Sequence, residues 1–230
     1  MFRYPVKFDQ YLDDVQKSID YILKMLRKPK VDKIIAGTYI TVSPASGTGD
    51  VTVGVNTSML HSGGLFAQTA ASTPITNTTV PGSLINGGVG TLSVPANGFQ
   101  VGDSFIAYFS GKISCVNNET IHIHCYSDGQ ILADTGIVVL NASTNKNWEM
   151  FINFTIRAIG AAGVAQIATS GRFLYNKNSN NAPESVGFSA LNNTTFNTTI
   201  SNTLEVTSQW GSASTQNSIE TEIFNLYRIY

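Results

Sequence analysis

The character of the chain changes abruptly near residue 33, and that change limits what it can fold into. Residues 1–33 hold 13 of the 29 charged side chains, whereas the 197 residues after them hold only 16. The first segment spaces its apolar residues at helical intervals. The second alternates apolar and polar residues in short runs broken by Gly, Pro, Asn and Asp. A helical period demands a stripe on a helix, and a period of two demands a strand with one buried face. The expected organisation is therefore a short helix leading into a large, nearly uncharged all-β domain.

Within residues 6–27, Phe8, Leu12, Val15, Ile19, Ile22 and Leu26 follow one another at intervals of four and three. That spacing is the a/d seam of a coiled coil. Leu12, Ile19 and Leu26 take the a positions and Phe8, Val15 and Ile22 the d positions. β-Branched residues at d crowd a parallel dimer and favour three or more strands. Pro29 is expected to stop the helix, because the residue before a proline is pushed out of the helical region. Lys24, Arg27 and Lys28 stand where cations suit the helix dipole. An amphipathic helix lying on its own domain is the alternative reading of the same stripe.

Three segments follow from this pattern: residues 1–33 as helix, coiled coil and anchor, 34–60 as a short β-shaft, and 61–230 as a β head. In the shaft, Ile40 and Val42 share one parity and Val51, Val53 and Val55 another, around a Gly/Ser/Pro turn. Two short strands cannot bury a core alone, so either three chains wrap around an axis or the pair belongs to the head. Residues 57–90 read as a loose lead-in with one strand near 76–80. Beyond Gly90 strands recur at 8–12 residue intervals, with 104–109 and 113–115 read as separate strands, which predicts an antiparallel sandwich of jelly-roll type. The clearest is 148–156, where Trp148, Met150, Ile152, Phe154 and Ile156 alternate with polar residues. Phe196–Ile200 is also expected to be a strand. Two runs are apolar on both faces. They contain Phe105, Ile106, Tyr108 and Phe109, and Ile223, Phe224, Leu226 and Tyr227. A sheet with one wet face should not show this, so these eight residues are read as a candidate subunit interface on a threefold axis.

The composition argues against several function classes. Net charge is −1, which leaves no electrostatic footprint for nucleic acid. No run approaches the roughly 18 apolar residues of a membrane span. The start lacks an apolar stretch with a small-residue cleavage site, which predicts synthesis in a reducing cytoplasm. Cys115 and Cys125 fit that expectation as two buried free thiols. If 116–120 closes a hairpin, Cys125 faces Gly111 and the two sulfurs lie several ladder positions apart, beyond disulfide reach.

No catalytic motif stands out, and no cofactor is implied. Gly187-Phe188-Ser189-Ala190 is followed by Leu191, so there is no nucleophile elbow, and no phosphate loop or zinc-spaced cysteine pair is present. The histidines are His61, His122 and His124. His122 and His124 share a strand face and are weak metal candidates, with no third ligand visible nearby. Asp128 with Asp134, and Glu220 with Glu222, are the carboxylate pairs that glycoside hydrolysis would need. Both read more simply as turn and surface residues, so an enzyme is not expected.

Several long phrases resemble the C-terminal head domain of trimeric viral and phage fibre proteins. They are GVGTLSVPANGFQVGDSFIAYFSGKIS (88–114), ILADTGIVVL (131–140), NKNWEMFINFTIRAIG (145–160) and NTTISNTLEVTSQWGSASTQNSIETEIFNL (197–226). The segment IIAGTYITVSPASGTGDVTVGV is similar to β-shaft repeats of such fibres. The resemblance implies a homotrimer on the virion surface, made in the host cytoplasm and anchored to a capsid or tail protein through its N-terminus, with Arg3 and Lys7 in the basic arm. It further implies a head that attaches to a host surface receptor. The Asn/Thr/Ser-rich surface favours a glycan, and neither nucleic acid nor membrane insertion is expected. A virion decoration protein and a fibre-borne polysaccharide depolymerase are the alternatives. The resemblance supplies no receptor-contacting residues.

Overall fold

The computed structural model describes residues 7–26, 40–43, 51–55, 63–193 and 195–230. The chain divides into two compact units, Met1–Leu60 and His61–Tyr230. The first contains helix α1 (Lys7–Leu26) and the strands β1 (Ile40–Ser43) and β2 (Thr52–Val55). Good helix formers carry α1, and Gln16 and Ser18 add side-chain bonds to Asp20 and to the Asp14 carbonyl one turn away. The apolar stripe is uncovered: Leu12, Val15, Ile19 and Ile22 are 51, 38, 45 and 55% exposed. The side chains of Phe8 and Leu26, together with Arg3, Pro29 and the turn at 44–50, lie outside the described residues. β1 and β2 pair antiparallel, with Ile40 opposite Val55 and Val42 opposite Val53. The pairing sets Ile40, Val42 and Val53 on one face, a favourable cross-strand arrangement.

Among its described residues the second unit is all strand and turn apart from one short 3₁₀ turn at Ser179–Asn181. Its first strands are short: β3 (Gly63–Gln68), β4 (Ile75–Thr76), β5 (Gly82–Ser83), β6 (Gly88–Gly90) and β7 (Ser93–Val94). The long strands follow: β8 (Ser104–Cys115), β9 (Glu119–Ser127), β10 (Gln130–Leu140), β11 (Ser143–Ala158), β12 (Gln166–Asn176), β13 (Pro183–Asn193), β14 (Asn202–Trp210) and β15 (Ser218–Arg228). An eight-stranded sheet runs β13-β12-β11-β8-β15-β3-β6, with β4 also paired to β15. A five-stranded sheet runs β10-β9-β14-β5, with β7 also paired to β14. Every ladder is antiparallel.

The two sheets share one core, which makes the unit a β-sandwich. Trp148, Met150, Ile152, Phe154 and Ile156 of β11 and Phe105, Ala107, Phe109 and Ile113 of β8 enter it from the larger sheet. Ile121, Ile123 and Cys125 of β9, Val138 and Leu140 of β10, and Val206 and Trp210 of β14 meet them from the smaller. Phe109 stacks on Phe224 with ring centroids 4.4 Å apart, and Trp148 and Phe173 continue the aromatic row. Both buried indoles have a partner for the N–H. Trp148 donates to the Glu220 carbonyl and Trp210 to the Ile75 carbonyl, each at 2.9 Å. Trp148 reaches Glu220 across Gly111, its ladder neighbour. A Cβ on Gly111 would stand 1.9 Å from the Glu220 carbonyl oxygen, so only glycine fits.

Two carboxylates tie loops to this frame. Glu119 is buried at the start of β9, where it accepts from Ser212, Asn217 and the Thr120 N–H. Burial pushes its carboxyl up, but those donors outweigh burial and hold it below the usual carboxylate range. The Glu119 bonds clamp the crossover from β14 to β15. Glu184 of β13 accepts from Lys177 at 2.7 Å, from the Tyr175 hydroxyl at 2.5 Å and from Asn141 at 2.7 Å. Those bonds, the Lys177 one first, lower its carboxyl to about 2. Burial, then the Glu184 bond, pushes the Tyr175 phenol up to about 12.

Four expectations need correction. β8 and β9 do not form a hairpin: residues 116–118 carry the chain from one sheet to the other, and Gly111 faces Trp148 and Thr221 rather than Cys125. Both thiols are nonetheless buried and free, and burial raises both, Cys115 to about 11. Phe196–Ile200 is a turn, because the Asn197 side chain captures the N–H and hydroxyl of Thr199, which competes with a ladder. The strand near 76–80 shrinks to Ile75–Thr76, with Thr78 Oγ1 accepting from the Val80 N–H ahead of Pro81. The runs 104–109 and 113–115 are one continuous strand.

Two outcomes check this description. Gly111→Ala should lower stability by about 1–3 kcal/mol in urea unfolding, because the added methyl meets backbone. Glu184 is held low by its partners, so its contribution is complete above its unfolded value of about 4.5 and is lost as pH falls towards 2. Melting temperatures measured across that window should fall more steeply for the wild type than for Glu184→Gln.

Candidate functional site

The outer face of the smaller sheet gathers the chemistry-bearing side chains. The alternation of β9 turns Ile121, Ile123 and Cys125 inward and leaves Thr120, His122, His124 and Tyr126 on the outer face. The rings of His122 and His124 lie 3.8 Å apart, and His124 stacks on Tyr126 at 5.5 Å. On the neighbouring strand Asp134 stands opposite His124, and His122 Nε2 is 3.3 Å from Asp134 Oδ1. One donor atom from each of the three side chains lies within 4.8 Å of the other two. Among the described residues no other group of three His, Cys, Asp or Glu meets that spacing.

Asp134 reaches this face through an irregular ladder. The turn at Asp128-Gly129 has φ of 46° and 74°, the left-handed pair of a tight hairpin. From it, Ser127 pairs with Gln130 and Tyr126 with Ile131. An unbroken ladder would then set Ala133 opposite His124 and turn Asp134 inward opposite Ile123. A bulge between Ile131 and Ala133 shifts the pairing by one residue, so that His124 meets Asp134. A second shift follows between Asp134 and Ile137, where Gly136 takes φ of 64°. Bulges of this kind re-aim side chains. The Gly136 N–H then donates to Asp134 Oδ1 at 2.8 Å and fixes the carboxylate.

Electrostatics differ across the cluster. Burial pushes the Asp134 carboxyl up, but the Gly136 N–H and the two imidazoles outweigh it and hold it below the usual range. Burial lowers His124, His122 lowers it further, and Asp134 partly offsets both. His124 Nδ1 is buried without a hydrogen-bond partner, as is Thr207 Oγ1 on the strand across from it. Asp134 was visible in the sequence only as the partner of Asp128, which occupies the turn instead. Counting ladder positions from that turn would have misplaced it, because the bulge leaves no signature in the residues themselves.

The eight residues read as an interface separate into two sets. Phe105, Phe109, Phe224 and Leu226 are buried in the chain's own core. Ile106, Tyr108, Ile223 and Tyr227 lie on the outer face of the larger sheet, where Phe151 joins them and packs on Tyr108 at 4.8 Å. Phe151, Ile223 and Tyr227 are 45, 50 and 43% exposed. A bulge between Thr221 and Ile223 explains part of the two-faced pattern, since Ile219 and Thr221 point inward before it and Phe224 and Leu226 after it. At one end of the sandwich an apolar cavity of about 130 Å³ is lined by Leu92, Val94, Phe99, Phe154 and Phe196, among others. Its polar groups are bonded to neighbours: Ser127 to Asn202, Arg228 to Asp103.

The titration of the histidine pair checks the site. Followed by NMR, His124 should gain its proton below the ordinary histidine value of about 6.5. Asp134→Asn should move that midpoint further down, and His122→Gln should move it up. A His124 midpoint that neither substitution moves would contradict the geometry.

No protein-family model matches the chain, and no curated protein matches it. Among solved structures it is similar to the crystal structure of the alginate lyase from Klebsiella pneumoniae, at 6% identity and a TM-score of 0.21. The match covers 56% of this chain and 58% of that one, so the chain spans a little over half the length of the structure it matches. An overlap that loose carries neither a fold nor an activity across.

Proposed function

We propose that the protein is a trimeric virion fibre in which α1 forms a coiled coil, β1 and β2 belong to a short shaft, and a jelly-roll head attaches to host surface glycans. The observation that carries this reading is the uncovered heptad of α1, with Leu12, Val15, Ile19 and Ile22 all at least 38% exposed. At about 25 cal/mol per Å² of apolar surface, such a stripe gains most by packing on copies of itself. The apolar outer face around Tyr108, Phe151 and Tyr227 supports the same reading, because it offers the head a second self-contact. Attachment then works by avidity: three weak sites on one rigid body bind far more tightly than one.

Light scattering on the full chain tests the assembly. A mass of about 74 kDa is expected for three copies of the 24.7 kDa chain, and Ile19→Lys should reduce it. A monomeric wild type would contradict the fibre. Glycan-array binding by the trimer tests attachment separately. A trimer that binds no glycan but binds capsid protein would replace the receptor role with virion decoration.

A further inference from the structure

We propose that His122, His124 and Asp134 bind a first-row divalent cation of zinc type, one per chain, on the outer face of the smaller sheet. The inference is independent of the fibre reading and rests on four observations.

The donor set suits the ion. Two imidazoles and one carboxylate are nitrogen and oxygen ligands that zinc takes with a fourth position open to water. The spacing suits it as well. Bonds of about 2.0–2.1 Å to a tetrahedral zinc place two ligand atoms about 3.3 Å apart, and His122 Nε2 lies 3.3 Å from Asp134 Oδ1. That separation is longer than a charge-assisted hydrogen bond of about 2.7–2.9 Å. The pair therefore already stands at ligand spacing.

The backbone is built around the cluster. Two register shifts flank Asp134 and keep it outward, and the Gly136 N–H holds Oδ1 from behind at 2.8 Å. A ligand oriented by a hydrogen bond from outside the site is a usual feature of metal centres. Finally, the site holds unmet bonding capacity. His124 Nδ1 is buried with no hydrogen-bond partner, next to a second imidazole at 3.8 Å. An unpartnered buried donor or acceptor is costly, and a cation shared with His122 would satisfy one. Bound there, the ion would cross-link β9 to β10 and lock the register of the hairpin.

The test uses the full chain, stripped with a chelator and titrated with zinc chloride by calorimetry. One zinc per chain is expected. Asp134→Asn and His122→Gln should each weaken binding by about 100-fold or more, the scale at which even supporting residues act. In melting experiments zinc should raise the Tm of the wild type and leave that of each variant unchanged. Wild type that takes up no zinc would overturn the proposal, as would variants that bind as tightly as wild type, since the ion would then sit elsewhere. Should a variant fail to fold, cobalt absorption of the wild type decides. A four- or five-coordinate spectrum supports the site, and that of the hydrated ion contradicts it.

Discussion

Side-chain parity along an antiparallel ladder governs this protein. Each residue of a strand faces the opposite side from its neighbours, so one inserted residue exchanges the core face for the outer face. The sandwich uses that exchange at chosen places. In β15 it moves the inward set from Ile219 and Thr221 to Phe224 and Leu226. In β10 it brings Asp134 out to meet His122 and His124, and a second shift at Gly136 follows within three residues. Further shifts fall near the ends of β11 and in its pairing partner β12, whereas β8, β9 and the stretch 148–156 of β11 alternate without a break. Regular β9 presents the two histidines, and the shift in β10 brings the carboxylate to them.

Several of the largest polar groups in the core have partners. The two indoles donate to carbonyls of neighbouring strands, and Glu119 closes the β14–β15 crossover with bonds from two side chains and a backbone N–H. Such bonds cost little when made and a good deal when left open. Others are left open, Ser208 Oγ and Thr221 Oγ1 in the core among them. His124 Nδ1 and Thr207 Oγ1 are both on the outer face of β9 and β14, beside one another in the ladder.

Much of this architecture was legible in the residues. The alternation from Trp148 to Ile156 marks β11, the Ser127-Asp128-Gly129 turn marks the β9–β10 hairpin, and the 4-3-4 spacing marks α1. Each of these is a local pattern with one physical solution. Sheet membership was not legible, because a short connection such as 116–118 serves a hairpin and a crossover equally well. The turn at Phe196–Ile200 was hidden by β-branched residues whose backbone bonds Asn197 takes instead. Tyr108 and Phe109 looked alike in sequence, yet one lies on the outer face beside Phe151 and the other in the core. Asp134 was the largest omission for function. Its position depends on a bulge set by packing of both Leu132 and Ala133 into the core, and no motif announces that.

The outward cluster, and the cation site built on it, exist only if the β9–β10 ladder slips by one residue at Leu132. Solution NMR reads that register directly through cross-strand proton contacts between backbones. The account predicts contacts that pair Tyr126 with Ile131 and His124 with Asp134. An unbroken ladder, with His124 paired to Ala133, would turn Asp134 into the core and contradict it.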